Sequence, residues 1–358
     1  MRARLSPAGE TRRARLPSNA LKTESVSLKK PINHGERAMS KACVLVAMLA
    51  AVVTVLAADA PAAQKLAKTT VNVESTTVTT SDGVRLFVET AGQGTPCLYI
   101  HGGPGSGSYW MRKFSDGLLE RHFRMIYLDQ RGTARSASPS DGNYTMDRMA
   151  LDFEEVRKAL GIQDWLTLGH SLGGVMQMGY YERYPRSIKG MLFTNCTLSL
   201  EDSLRNSWIP KAVELLGTGE VLPSADESVS ALLQRVTSLG AQLQEKELMW
   251  RMAYASQENE RLMGATFGDI PGWNHDLEEA ALAVPDYQKD FRPLAPDVKV
   301  PVLFFYGKTD WMAGPEHYKG VHFPDMIVRC CDGGHVPIIE NRKELEAAIA
   351  DYQAKYGL

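Results

Sequence analysis

The stretch Trp165-Leu166-Thr167-Leu168-Gly169-His170-Ser171-Leu172-Gly173-Gly174 carries the most informative pattern in the chain. Leu166 and Leu168 alternate with Thr167, which is typical of the end of a buried strand. The strand pattern breaks into the pentapeptide Gly-His-Ser-Leu-Gly, and residues 175–184 have helical character. A strand, a tight turn and a helix around G-x-S-x-G are the context of a nucleophile elbow, which presents the serine hydroxyl above the sheet.

Two further properties of the turn follow if Ser171 is a nucleophile. Gly169 and Gly173 are expected where strand and helix pass too closely for a Cβ atom. The backbone N–H of Leu172 is expected to face a developing oxyanion, assisted by the positive end of the following helix. A chance G-x-S-x-G occurs in roughly one chain in ten of this length. The motif therefore needs partners elsewhere in the sequence.

Strands alternate with helices along most of the chain, which predicts a doubly wound, mostly parallel α/β sheet. The short strand 96–100 ends in His101-Gly102-Gly103-Pro104-Gly105, and the strand 123–128 ends in Asp129-Gln130-Arg131-Gly132. Because sites in such sheets lie at the carboxyl ends of the strands, we expect these loops and the elbow to converge. The glycine run lacks the Lys-Ser/Thr of a phosphate-binding loop, so no cofactor is expected.

The strand pattern is interrupted between Cys196 and Pro296 by a segment rich in helix-forming residues. A segment of this length is long for a loop, and it predicts a helical cap inserted after the sixth core strand. Helices are predicted at 211–216, 229–239 and 242–263. The predicted organisation is a leader at 1–60, a first core part at 61–197, a cap at 198–296 and a second core part at 297–358.

After the cap, the strand pattern of the core resumes, and two of its strands are followed by a candidate acid and a candidate base. Asp310 and His335 each follow the end of a strand, in the order Ser…Asp…His expected of an α/β hydrolase. His335 would take the proton of Ser171, and Asp310 would orient the imidazole. The rival histidines, His317 and His322, fall in a predicted helix or at its end. The rival acids, Asp325 and Asp332, do not follow an earlier strand.

The motifs His101-Gly102-Gly103-Pro104-Gly105, Asp129-Gln130-Arg131-Gly132, Gly169-His170-Ser171-Leu172-Gly173-Gly174 and Gly334-His335-Val336-Pro337 together resemble the proline iminopeptidase family of α/β hydrolases. The resemblance spans about residues 77–197 and 300–355. It implies that Gly103 supplies the second oxyanion N–H beside Leu172, and that Pro104 follows a cis peptide bond. It also implies that a cap glutamate holds the free amine of the substrate.

This sequence departs from the family at two points. Thr133 and Ala134 stand where the second loop usually continues Ser-Gly, and His170 and Leu172 replace the Gly and Trp of the family's elbow. The elbow found here is shared with many esterases. The candidate amine-binding residues in the cap are Glu201, Glu247, Glu258 and Glu260.

Three functions remain open from the sequence. The first is a serine aminopeptidase that acts on small peptides through an acyl-enzyme. The second is a carboxylic ester or lactone hydrolase with the same triad, and the third is a hydrolase-fold binding protein without turnover. The expected partner is a small molecule or short peptide, and the sequence does not determine the oligomeric state.

The amino-terminal region has a different composition from the rest of the chain. Residues 1–38 carry nine Lys/Arg and three Asp/Glu, which predicts disorder. Residues 39–60 resemble a secretory signal peptide, with a basic start, an apolar run and the cleavage motif Ala58-Asp59-Ala60. The prediction is therefore an exported protein without a lasting membrane span, and the alternative is an uncleaved membrane anchor. Removing the leader changes the net charge from −2 to about −8, which disfavours nucleic-acid binding.

The five cysteines show neither a C-x-x-C pair nor a zinc-binding spacing. Cys43 lies in the leader. The others fall in predicted strands, where a free cysteine behaves as a small apolar residue, and they are Cys97, Cys196, Cys330 and Cys331. We expect these four to be buried and unpaired.

Overall fold

An eight-stranded sheet is the central element of the computed structural model, which describes residues 71–358. The strands are β1 (Val73–Thr79), β2 (Arg85–Ala91), β3 (Pro96–Ile100), β4 (Arg124–Leu128), β5 (Trp165–Ser171), β6 (Ile188–Cys196), β7 (Val302–Gly307) and β8 (Met326–Cys331). Their order across the sheet is β1-β2-β4-β3-β5-β6-β7-β8. The β1/β2 and β2/β4 pairs are antiparallel, and the remaining pairs are parallel. The predicted mostly parallel α/β sheet is confirmed.

Helices connect the parallel strands and form a separate group between β6 and β7. The helices are α1 (Tyr109–Ser115), α2 (Met146–Ala159), α3 (Gly173–Arg183), α4 (Leu200–Ser203), α5 (Ile209–Leu216), α6 (Val229–Glu245), α7 (Trp250–Ala253), α8 (Gln257–Gly264), α9 (Asp276–Ala280), α10 (Pro337–Glu340) and α11 (Arg342–Tyr356). A π-helical turn, Leu204–Trp208, joins α4 to α5.

The predicted leader at 1–60 lies outside the described residues. From residue 71 onward, no helix is long and apolar enough to cross a membrane.

The central strands of the sheet are buried on both faces, as its doubly wound form requires. Side chains alternate along β3, so that Leu98 and Ile100 join one apolar cluster while Cys97 and Tyr99 join the other. All four are fully buried. The parallel strands therefore read as continuous apolar runs, which is why the sequence pattern located them.

The helical insertion has an apolar core of its own, which includes Trp208 and Met252. Its carboxyl-terminal part packs differently, because Leu277, Tyr287 and Phe291 belong to the cluster on the sheet. The insertion thus follows the sixth strand, as expected, and its last segment is held by the core. The boundaries at 197/198 and 296/297 stay predictions.

The single helix predicted at 242–263 is wrong. Helix α6 ends at Glu245, and Glu247 adopts a left-handed conformation with φ 54°. Helix α7 then occupies four residues and ends at an extended Tyr254. The hydroxyl of Ser256 begins α8 by accepting the backbone N–H of Asn259 at 3.3 Å. A local serine cap and a left-handed residue outweigh the helix propensity of the segment.

All four described cysteines are free, and three of them are buried. Cys330 is exposed, which corrects its predicted burial. It lies in β8, and β8 is an edge strand with one face only partly covered.

Candidate active site

Ser171 lies at the carboxyl end of β5 with φ 57°, which is the left-handed conformation expected at an elbow. A Cβ on Gly169 would lie 2.0 Å from Oε1 of Gln177 in α3, so strand and helix do pass closely there. A Cβ on Gly173 would lie 2.2 Å from the carbonyl oxygen of Ile100 in β3. The second glycine is therefore required by the neighbouring strand rather than by its own strand.

The structure joins two of the predicted site residues directly. Nδ1 of His335 lies 3.0 Å from Oδ1 of Asp310, and both side chains are almost fully buried. A carboxylate can only accept, so Nδ1–H is the donor and Nε2 is left to accept a proton. The pair has the geometry of the acid and base of a hydrolytic triad.

Asp310 is held in its ionised form by several donors. Oδ1 also accepts the backbone N–H groups of Met312 (3.0 Å) and Ala313 (3.1 Å). Burial acts to raise the pKa of Asp310, but the charge and hydrogen bond of His335, the N–H of Ala313 and the side-chain amide of Asn195 hold it below its usual value. The carboxylate is thus available to orient the imidazole and to stabilise its charged form.

Asn195 belongs to the candidate site, although no sequence motif pointed to it. The β5/β6 register shifts between His170 and Ser171, so Asn195 is bulged, with φ 52°. Its Nδ2 donates to Oδ2 of Asp310 (2.9 Å) and to the carbonyl of Gly334 (2.8 Å). Asn195 therefore connects the acid loop to the histidine loop. A polar residue at the end of a buried strand was the available signal, but a bulge cannot be read from sequence.

The predicted oxyanion groups lie in the loop after β3 and at the start of α3. The Gly103-Pro104 peptide bond is cis, as the family resemblance implied. A Cβ on the preceding Gly102 would lie 2.7 Å from Cβ of Ser171 and 3.0 Å from the nitrogen of Leu172, so this loop lies against the elbow. Among the described residues, no acceptor binds the backbone N–H of Gly103 or Leu172. Both amides are free to bind an anion.

The elbow and the histidine loop are in direct contact through His170. Its ring centroid lies 4.6 Å from that of His335, and its Nε2–H donates to the carbonyl of His335 at 2.8 Å. Burial and the charge of His335 lower the pKa of His170 to about 3, so His170 is neutral at ordinary pH. Within residues 71–358 the hydroxyl of Ser171 makes no hydrogen bond, including to His335. Nucleophile–base contacts often close only when substrate is bound.

The loop after β4 holds the glycine loop in place. Asp129 accepts the backbone N–H and the hydroxyl of Ser108 at 2.8 and 2.7 Å, and Arg135 at 2.6 Å. His101 adds a second link, since its Nε2 accepts the backbone N–H of Gln130 at 3.1 Å. Burial lowers the pKa of His101 to about 4. His101 and His170 thus each link two loops of the site.

The rival residues lie elsewhere. The buried His317 binds Asp202 at 2.7 Å and accepts the backbone N–H of Leu198. His322 is exposed, and Asp332 pairs with Lys308 on the surface. In the described part of the chain, no group of three or more His, Cys, Asp or Glu side chains could hold a metal ion.

An open cavity of about 670 Å³ lies beside the same loops. Its lining includes Arg85, Phe87 and Arg135 of the core, and Pro271, Gly272 and Asn274 of the cap. Ser171, Asp310 and His335 do not line it.

Known proteins share this fold and parts of the sequence. The sequence model of the alpha/beta hydrolase fold family matches residues 95–342. A 1-acylglycerol-3-phosphate O-acyltransferase from Arabidopsis thaliana is 27% identical over 293 residues, which cover 72% of this chain and 66% of that protein. A proline iminopeptidase from Neisseria meningitidis is 38% identical over 102 residues, or 28% of this chain and 32% of that protein. The chain therefore spans less than two thirds of the length of these relatives.

A solved structure extends the comparison to the whole fold. The proline iminopeptidase-related protein from Thermus thermophilus superposes with a TM-score of 0.65 at 21% identity, covering 79% of this chain and 98% of that one. Similarity at this level of identity establishes a common architecture.

Proposed function

Because the chain belongs to the alpha/beta hydrolase fold family, whose match covers residues 95–342, we propose that it is a serine hydrolase, most specifically an aminopeptidase of the proline iminopeptidase type. The observation that carries the proposal is the buried hydrogen bond between Asp310 and His335, on a loop in contact with the elbow of Ser171. The reaction would release an N-terminal residue from a small peptide. No cofactor takes part.

In the proposed mechanism, Oγ of Ser171 attacks the scissile carbonyl while Nε2 of His335 takes its proton. The N–H groups of Gly103 and Leu172 stabilise the oxyanion of the tetrahedral intermediate. The imidazolium, held by Asp310, then protonates the leaving amine, and the C–N bond breaks to give the acyl-Ser171 ester. Water activated by the same imidazole hydrolyses that ester and returns the proton to Ser171.

Glu260 is the best candidate for binding the substrate's ammonium group. Glu201 is paired with Arg205 at 2.6 Å, whereas Glu247 and Glu258 are exposed. Glu260 is half-buried, and no described residue makes a hydrogen bond or a close ion pair with its carboxylate. Burial raises the pKa of Glu260, which Arg261 only partly offsets. A substrate ammonium would relieve this desolvation cost.

The position of Glu260 supports the same assignment. Its charge adds to the rise in the pKa of the half-buried Tyr254. Tyr254 directly follows Ala253, whose carbonyl oxygen accepts the backbone N–H of His335 at 2.6 Å. Asn259, the residue before Glu260, donates its Nδ2 to Glu340 (2.9 Å), which accepts the backbone N–H of Gly334 (2.6 Å), so helix α8 begins near the histidine loop.

The alternative is a carboxylic ester or lactone hydrolase with the same triad. His170 and Leu172 in the elbow favour it, because the iminopeptidase family commonly has Gly and Trp there. The acyltransferase relative is compatible with the same acyl-enzyme chemistry, with an alcohol as acceptor. A binding protein without turnover is the third possibility, and an available Ser171 beside a formed Asp310–His335 pair argues against it.

The deciding experiment compares the full chain on a prolyl arylamide and on a short-chain aryl ester, with Ser171→Ala as the blank for both. We expect amide turnover that disappears when the prolyl nitrogen is acylated. Glu260→Gln should raise KM for the amide by about tenfold, the value of one charged hydrogen bond, and should leave ester turnover unchanged. Glu258→Gln, two residues away and exposed, is the matched control.

Ester turnover without amide turnover would transfer the function to the alternative. An absence of labelling by a fluorophosphonate probe would contradict both enzymes and favour the binding protein.

A further inference from the structure

The backbone of Gly334 and His335 is held on every side by hydrogen bonds from other elements. The partners are Glu340 Oε2 for the N–H of Gly334 (2.6 Å), Asn195 for its carbonyl (2.8 Å), the Ala253 carbonyl for the N–H of His335 (2.6 Å) and His170 for its carbonyl (2.8 Å). The N–H and carbonyl groups of these two consecutive residues therefore all have hydrogen-bond partners, which lie in α10, β6, α7 and the elbow. The orientation of the His335 imidazole depends on these contacts.

Glu340 differs from the other three partners because it also binds the cap. Its second oxygen, Oε1, accepts the backbone N–H of Ala255 at 2.7 Å and Nδ2 of Asn259 at 2.9 Å. Within the described residues it forms no salt bridge, so this half-buried carboxylate serves three neutral N–H donors. One side chain therefore joins the histidine loop to the cap segment 252–259.

The same cap segment is attached to the acid loop. The carbonyl of Met252 accepts the backbone N–H of Trp311, which follows Asp310, at 3.0 Å. Close packing accompanies these contacts, because a Cβ on Gly334 would lie 2.3 Å from the carbonyl oxygen of Ala253. The cap segment 252–259 thus touches both loops of the Asp310–His335 pair through backbone groups.

We propose that Glu340 is a positioning residue that couples the cap segment 252–259 to His335. When the cap segment is seated, that is, when it makes these contacts with Glu340, His335 and Trp311, it orients the Gly334–His335 backbone. This orientation brings the imidazole of His335 to Ser171. The coupling concerns proton transfer, so it applies to any substrate of the triad. It rests on the proposed function in one respect, since Glu260 lies on the same helix as Asn259 and a bound substrate ammonium would favour the seated segment.

Glu340→Gln tests the coupling with little change in shape. The amide oxygen can still serve the two cap donors, but the NH₂ group then faces the N–H of Gly334, where an acceptor is needed. Misplacing a catalytic base by about 1 Å costs on the order of 10²-fold. We therefore expect kcat, and the rate of Ser171 labelling by a fluorophosphonate, to fall 10–100-fold in Glu340→Gln with little change in KM.

Two further variants separate positioning from general damage. Glu344→Gln makes the same change at an exposed position in the next helix, α11, and should behave as wild type. Asn259→Ala removes only the hydrogen bond from the Asn259 side chain to Glu340. We expect the labelling rate to fall by about threefold, which corresponds to the free energy of one ordinary hydrogen bond. The effects of Glu340→Gln and Asn259→Ala should be non-additive in the double variant.

Wild-type labelling rates in Glu340→Gln would overturn the proposal, as would strictly additive effects. If Glu340→Gln does not fold, the coupling is tested by Asn259→Ala alone. A wild-type labelling rate in Asn259→Ala would then contradict the proposal. Failure of the prolyl amide assay with labelling intact would contradict the aminopeptidase and leave the coupling to be judged by the labelling rates.

Discussion

At the scale of single residues, the proposed chemistry rests on Ser171, His335 and Asp310. Ser171→Ala and His335→Ala should each lower kcat by about 10⁶-fold, because either change removes the attacking group or its base. Asp310→Ala should cost about 10⁴-fold, since the imidazole keeps its basic nitrogen but loses its orientation. Steady-state turnover of the preferred substrate measures all three. Asp332→Asn, at a surface carboxylate, is the control, and wild-type turnover in Asp310→Ala would show that another residue is the acid.

At the scale of elements, the loop after β4 is tied to helix α2 by a buried ion pair. Nε of Arg131 lies 2.5 Å from Oδ2 of Asp152, and the two side chains are 0% and 1% exposed. Asp152→Ala leaves the guanidinium partly uncompensated, so we expect the free energy of unfolding to fall by about 3–5 kcal/mol. Urea denaturation measures this change.

The matched control for Asp152→Ala lies on the same helix. Asp147 pairs with Arg183, but its side chain is 80% exposed, so Asp147→Ala should alter the free energy of unfolding by less than about 0.5 kcal/mol. Equal effects of the two variants would mean that burial does not determine the contribution of the Arg131 pair.

At the scale of the whole molecule, Asp202 joins both ends of the helical insertion to the core. It lies in α4, at the start of the insertion, and binds Arg292 at the far end and His317 of the core, each at 2.7 Å. Burial acts to raise its pKa, but His317, Asn206 and Arg292 lower the pKa of Asp202 to about 2 from its usual 3.8. The stabilisation is therefore present above about pH 3.8 and is lost as the pH falls towards 2.

Asp202→Asn should consequently lower the free energy of unfolding near pH 6 by about 1 kcal/mol, a value reduced by solvent screening. The difference from wild type should shrink between pH 3.8 and 2. Denaturant unfolding at a series of pH values measures it, with the exposed Asp297→Asn as the control. A difference that stays constant down to pH 2 would refute the linkage.

Local patterns were sufficient for the fold and for the choice of the proposed site residues. Buried parallel strands are continuous apolar runs, and turns at strand ends need glycine, so the elbow, the Gly102–Pro104 loop and the order Ser171…Asp310…His335 could be read directly from the sequence. The helices of the insertion were predicted less well, because the break after Glu245 depends on one left-handed residue and one serine cap.

The sequence by itself determined the sheet, its strands and the three residues proposed to carry the chemistry, because each depends on neighbours within one strand and one turn. Only the tertiary structure decided how those residues are supported. Asn195 reaches Asp310 because a bulge turns it, and Glu340 reaches the cap because α7 and α8 fold back over the histidine loop. Among the four candidate amine-binding glutamates, Glu260 stands out because it is half-buried and no described residue pairs with its carboxylate. Such contacts join residues far apart in the chain, and no local pattern specifies them.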